Sequence, residues 1–151
     1  MTALRAPTIH ASAVLLGARA VLIRGASGSG KSHLALALLR LPASGAPGFT
    51  RLVADDRAHI EASHGRLLVR PAAGLEGLIE HRGLGILRMP YEPLAAVGLV
   101  VDLAEAGVER LPSKAAQRAM VAGVTLPRLA VAPGIDALPL VLAAAQGLLA
   151  H

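Results

Sequence analysis

Hydrophobic positions along this chain fall first into short strand-length runs. Ile9–Leu16 and Arg19–Arg24 are two such runs separated only by Gly17-Ala18, a spacing that predicts a β-hairpin. Gly25–Gly30 is a glycine loop, and Lys31–Leu41 carries the apolar pattern of a buried helix ended by Pro42. Pro42–Thr50 is the strongest loop signal. Arg51–Ala54 then reads as a short strand with Asp55-Asp56 at its end, and Ala58–Ala62 and Arg66–Arg70 as two more strands turning at His64-Gly65. Leu75–Glu80 predicts one or two helical turns, followed by the tight segment Arg82-Gly83-Leu84-Gly85.

The second half continues in the same mixed manner. Leu94–Val101 predicts a fully buried strand closed by Asp102, Ser113–Met120 a helix, and Leu126–Ala132 a further strand. Asp136 is placed to cap a last helix through Leu149, with Pro139 tolerated because it falls in the first turn. That helix is apolar almost all round, so burial in the core or in a subunit interface is expected. The elements predict an α/β fold, a mixed sheet with hairpins and flanking helices rather than repeated βαβ units.

Composition narrows this picture. A length of 151 residues is that of one domain, 1–151, and 54% hydrophobic residues exclude intrinsic disorder. Phe49 and Tyr91 are the only aromatics, so the core is built from Ala, Leu, Val and Ile, and nucleic-acid binding by stacked aromatics is not expected. The net charge of +5 is spread along the chain without a Lys/Arg run, which marks neither a nucleic-acid nor a lipid surface. Cysteine is absent, which excludes disulfides and thiolate chemistry. The longest stretch without charge, Ala137–Ala150, is too short to span a membrane, and Ala11–Leu16 is followed by Arg19 and Arg24 without a cleavage site. A cytoplasmic protein is expected.

The chemistry begins at Gly25-Ala26-Ser27-Gly28-Ser29-Gly30-Lys31-Ser32, which fits G-x-x-x-x-G-K-[ST] at every position, with a strand before it and a helix after. Glycines let backbone N–H groups turn inward around phosphate oxygens, and the helix N-terminus adds free donors. Lys31 would reach the β- and γ-phosphates, and the Ser32 hydroxyl would ligate Mg²⁺. The chain uses 13 Arg and only two Lys, Lys31 and Lys114, yet one lysine stands where a compact ammonium is needed. Nucleoside triphosphate binding follows.

Asp55-Asp56 is the only adjacent acidic pair. Two carboxylates at a strand end repel unless a cation or an exchangeable proton is near. One would face Mg²⁺ and the other accept a proton from an attacking hydroxyl, but position alone does not say which. Read singly, Glu80 is a surface carboxylate before a turn, His10 a strand histidine, and Arg110 an exposed loop side chain. His33, directly after the loop, reads as structural.

Taken together, these residues say more. His10, the loop Gly25–Ser32, Leu52-Val53-Ala54-Asp55-Asp56, and Glu80-His81-Arg82-Gly83-Leu84-Gly85-Ile86-Leu87 resemble the catalytic domain of the HPr kinase/phosphorylase family. That family carries a His upstream of the P-loop, an Ala-Asp-Asp motif and a Glu-x-Arg-Gly-Leu-Gly-Ile signature, the last being the most specific. The resemblance runs from about Thr8 to Ala132.

It implies a P-loop fold of the HPr kinase type and an ATP-dependent serine kinase acting on an HPr-like phosphocarrier protein of a phosphotransferase system. By this resemblance Asp56 is the general base, Lys31 binds phosphate, and Ser32 and Glu80 hold Mg²⁺ with Asp55 behind them. His10 then supports Asp56, and Arg110 is the catalytic arginine of a loop that meets the protein substrate. The cofactors implied are ATP and Mg²⁺, and the implied assembly is a closed homo-oligomer, often a hexamer in the family.

The chain departs from the family in three places. It starts almost at the histidine, so by the resemblance a short form made of the catalytic domain only is expected. The family's His-Gly is His10-Ala11. The segment Val131-Ala132-Pro133-Gly134-Ile135 lacks the basic residue expected for phosphorolysis, so the kinase direction has the better support. Two other readings use the same loop. A small-metabolite kinase would carry an Arg-rich lid, which is not visible here. A non-catalytic nucleotide-binding regulator would have lost Lys31, Asp56 or Glu80, and all three are present.

Overall fold

The computed structural model describes residues 8–41 and 49–149, with side chains through residue 146. The predicted loop Pro42–Thr50 therefore lies mostly outside the described residues. The hairpin forms as expected: β1 (Thr8–Leu16) pairs antiparallel with β2 (Arg19–Arg24), with Leu16 opposite Arg19 across Gly17-Ala18. The glycine loop follows, then α1 (Lys31–Leu39), whose last turn tightens through Arg40 and Leu41. β3 (Thr50–Ala54), β4 (Arg57–Ser63) and β5 (Arg66–Pro71) come next. β3 and β4 run along β1 one after the other, Ala54 opposite Ala13 and Arg57 opposite His10, so Asp55-Asp56 interrupts what is nearly one strand. His64 and Gly65, both at positive φ, make the turn between β4 and β5.

Two expected helices are strands instead. Over Leu75–Glu80 the chain turns and enters β6 (Leu78–His81), which pairs with β7 (Gly85–Arg88). Gly77 adopts a φ of 74°, which stops a helix there, and Ile79 is buried while Glu80 is exposed, the alternation of a strand. At Ser113–Met120 a single turn starts, with Ser113 Oγ accepting from the Ala116 N–H, and then β9 (Arg118–Val121) takes over. The reason is the turn Ala122-Gly123, both residues at positive φ, which folds β9 onto β10 (Val124–Ala130). β10 thus starts two residues before the expected Leu126.

The sheet explains the composition. β8 (Ala95–Asp102) is parallel to β2 and to β10 and antiparallel to β5, so the path β2–β1–β4–β5–β8 closes back on β2. β1, β2 and β8 bury both faces. One face packs against β4 and β5, where Ala11, Ala13, Ala20, Ala54 and Ala58 alternate with larger Leu22, Ile60, Leu67 and Val69. The other, with Val14, Val21, Ile23, Leu99 and Val101, packs under α1 and α2 (Ala137–Leu149). Asp136 caps α2 as expected, its Oδ1 accepting from the Leu138 N–H at 3.1 Å. Among the described side chains of α2 only the stripe Ala137, Val141, Ala145 is buried, with Leu140 40% exposed, so the helix is not covered all round.

Candidate phosphate-binding and phosphoryl-transfer site

The loop 25–30 leaves the C-terminal end of β2 and enters α1. Gly28 (φ 83°) and Gly30 (φ 101°) occupy left-handed backbone that only glycine adopts readily, and the Ser29 N–H closes the turn between them on the Ala26 carbonyl at 3.0 Å. Gly25 answers a different need: a Cβ there would lie 2.4 Å from Ser29 Oγ. Lys31 is 6% exposed, and its Nζ donates to the carbonyls of Gly25 (2.8 Å) and Ala26 (3.2 Å). Lys31 forms no ion pair among the described residues. A buried ammonium partnered only by carbonyls leaves its charge uncompensated, and an anion is the partner such a site fits.

The two adjacent aspartates take different places. Asp55 is buried, and its Oδ1 accepts from the hydroxyls of Ser12 (2.7 Å) and Ser32 (2.8 Å). Its Oδ2 lies 3.0 Å from the same Ser32 hydroxyl and accepts from the backbone N–H of Glu80 at 3.1 Å. Asp56 is exposed at the apex of a three-residue γ-turn: its φ is 65°, and the Arg57 N–H donates to the Asp55 carbonyl at 2.7 Å. The turn aims its carboxylate outward, where Oδ1 lies 3.9 Å from His10 Nδ1 with both side chains more than half exposed.

Glu80 stands on the exposed face of the β6–β7 hairpin, opposite Ile86, while its backbone reaches Asp55. The Arg82-Gly83-Leu84 segment is the tip of that hairpin, closed by Leu84 N–H donating to His81 O, with Leu84 and Ile86 exposed. Lys31, Ser32, Asp55, Asp56, His10 and Glu80 thus share one neighbourhood. Arg110 forms no hydrogen bond or ion pair with any of them or with any other described residue, and it is exposed on the segment 103–117. His33 is exposed on α1.

The donor set suits Mg²⁺. A hydroxyl and carboxylates are hard oxygen ligands, and this ion commonly uses one or two carboxylates with substrate phosphates and water. Among the described residues no three His, Asp or Glu side chains converge, which a site completed by phosphate does not need.

Two features escaped the sequence reading. Ser12 is fully buried and links both aspartates, accepting from the Asp56 N–H at 3.2 Å while donating to Asp55. Its signal was the one hydroxyl in the otherwise apolar, buried run Ala11–Leu16. Asp102 ends β8 beside Arg24, the last residue before the loop, and takes a two-pronged contact from that guanidinium at 2.7 and 2.9 Å and another from Arg128. Arg128 also pairs with Glu105 and donates to Ala116 O, so the loop's entry is tied to the segment that carries Arg110. Burial pushes the Asp102 carboxyl up, but the hydrogen bonds and charges of Arg24 and Arg128 outweigh it and hold the group below its ordinary range. The hydrogen bond to Asp102 raises Arg24 against the opposing effect of burial.

A strand, a glycine loop with a buried lysine, a helix and a facing carboxylate on the serine after that lysine define a P-loop phosphate-binding protein. The profile of the HPr Serine kinase C-terminal domain matches residues 4–150, and the chain belongs to that family. It is 38% identical over 88 residues to HPr kinase/phosphorylase of Clostridium tetani, covering 58% of this chain and 26% of that protein. It is 37% identical over 108 residues to HPr kinase/phosphorylase of Halalkalibacterium halodurans, covering 65% of this chain and 33% of that one. The chain therefore spans about a third or less of the length of these curated relatives. Its fold is also that of the Hpr(Ser) kinase/phosphatase from Coxiella burnetii: TM-score 0.73 at 21% identity, over 93% of this chain and 89% of that one. No helix among the described residues is long and apolar enough to cross a membrane.

Proposed function

We propose that this chain is an ATP-dependent serine kinase of the HPr type, with a small HPr-like phosphocarrier protein as its acceptor. The observation that carries the reading is the buried Lys31 ammonium, held by carbonyls alone inside the glycine loop, beside a carboxylate that already holds Ser32. Membership of the HPr serine kinase family directs that site to a protein serine.

In this reading Lys31 and the N–H groups of 25–32 bind and orient the phosphates. Ser32 and Glu80 hold Mg²⁺ with Asp55 behind them, and the bound ion supplies neutralisation of phosphate charge. Asp56 takes the proton from the acceptor hydroxyl, and His10 keeps its carboxylate turned toward that hydroxyl. Arg110 meets the acceptor from the 103–117 segment. Transfer through a loose transition state asks mainly for positioning and charge, which these residues provide.

The kinase direction is favoured over phosphorolysis, since 131–135 contributes no basic side chain. We read the chain as one catalytic unit, cytoplasmic and working as a closed homo-oligomer, with the exposed flank of α2 as a surface for a second copy.

The test is transfer from labelled ATP with Mg²⁺ to the HPr-like proteins of the same cell. Label on the wild-type acceptor that is missing from its Ser→Ala form supports the reading. No transfer while nucleotide still binds overturns it.

A further inference from the structure

Asp56 sits in backbone that a non-glycine residue leaves unless its surroundings hold it there. Two contacts from β1 do so. The Ala11 N–H donates to the Asp56 carbonyl at 3.1 Å, and Ser12 Oγ accepts from the Asp56 N–H at 3.2 Å. The same Ser12 hydroxyl donates its only proton to Asp55 Oδ1 at 2.7 Å. One fully buried side chain thus fixes the carboxylate that holds Ser32 and the peptide that presents Asp56.

The arrangement has a consequence for the loaded site. Asp55 accepts from Ser12, Ser32 and the Glu80 N–H. A Ser32 oxygen that ligates a cation through a lone pair still has its proton to donate to Asp55, so Ser12 and the Glu80 N–H fix the direction in which the carboxylate receives it. β1 is rigid here: Ala11, Ser12 and Ala13 are all fully buried, so Oγ has little freedom to follow a wandering partner.

We infer that Ser12 is a positioning residue that keeps Asp55 aimed at the Ser32 side of the site and Asp56 in its turn, coupling cation binding to phosphoryl transfer. This rests on the proposed kinase reading. Ser12 touches neither phosphate nor acceptor; it acts through the two aspartates.

The test compares wild type with Ser12→Ala and Ser12→Cys. Three quantities are measured: Mg²⁺-free binding of ATP, the Mg²⁺ concentration that half-saturates the enhancement of ATP binding, and kcat for acceptor phosphorylation. Cysteine fills the serine's space but is a weak donor and acceptor, so it removes the contacts without opening a hole. Both variants are expected to bind Mg²⁺-free ATP within about threefold of wild type, to need about fivefold or more Mg²⁺, and to lose about tenfold or more in kcat, the size of one or two charge-assisted hydrogen bonds. Should Ser12→Ala not fold, Ser12→Cys alone decides. Wild-type Mg²⁺ dependence and kcat in a folded variant overturn the inference. So does a parallel loss of Mg²⁺-free ATP binding, which marks a merely structural serine. If wild type binds ATP but transfers nothing, the kinase reading fails, and the Mg²⁺ dependence of ATP binding still decides the role of Ser12.

Discussion

Asp55 and Asp56 are adjacent in the chain and face opposite environments: Asp55 is 8% exposed and holds the Ser32 hydroxyl at 2.8 Å, while the Asp56 side chain is 60% exposed beside His10. A regular strand would also point neighbours to opposite faces, but both faces of β1 and β3 are packed. The γ-turn at Asp56 is what lets the second carboxylate reach solvent instead of the core.

Because the turn depends on backbone rather than charge, Asp56→Asn isolates the carboxylate. Asparagine tolerates positive φ and matches aspartate in size. The variant is expected to bind ATP within about threefold of wild type and to lose about 10²–10⁴-fold in acceptor phosphorylation, the range for a positioned base. Nucleotide titration and labelled-phosphate transfer on one preparation check it, and retained turnover would remove Asp56 from that role.

Lys31→Ala removes an ammonium that no carboxylate neutralises. Affinity for ATP is expected to fall by about 100-fold or more, since charge-assisted contacts to phosphate are the strong ones. Thermal stability should change little or rise, because an uncompensated buried charge goes with it. Calorimetric ATP titration and a melting curve read both effects. Unchanged affinity would discredit the assignment of the loop.

Asp102 gives a pH prediction. Its carboxyl lies below its ordinary value of 3.8 in the folded protein, with burial opposing and Arg24 and Arg128 prevailing. A depressed acid contributes stability that is fully present above the unfolded value and is lost as pH falls through the folded one. The contribution should therefore be constant from neutral pH to about pH 5 and decline below pH 4. Asp102→Asn is expected to be less stable at pH 7, with a shallower acid decline. Urea unfolding from pH 7 to pH 3 measures both, and equal slopes for the two proteins would contradict the clamp.

Gly77→Ala tests why 75–80 is not a helix. Gly77 has φ 74°, and an added Cβ would stand 2.7 Å from the Met89 carbonyl and 3.1 Å from the Tyr91 ring. The left-handed backbone and the clash with main chain together are expected to cost about 2–3 kcal/mol. Chemical denaturation reads it, and a helix-favouring gain in stability would show that the turn is not required.

Local sequence determined the parts whose causes are local. The Gly17-Ala18 hairpin, the loop 25–32 with its strand and helix, the His64-Gly65 turn and the Asp136 cap all depend on residues within a few positions of each other, and all four are present. Periodicity misled at 75–80 and 113–120, where apolar spacing fits a helix but partners distant in the chain, or the Ala122-Gly123 turn, offered strand pairing. The division of labour between Asp55 and Asp56 was open in the sequence, because it depends on which one meets Ser12 and Ser32, residues more than 20 positions away. Ser12 and Asp102 acquire their significance the same way: a hydroxyl and a carboxylate become site residues only when closure of the sheet removes water and leaves each with the partners that the fold delivers.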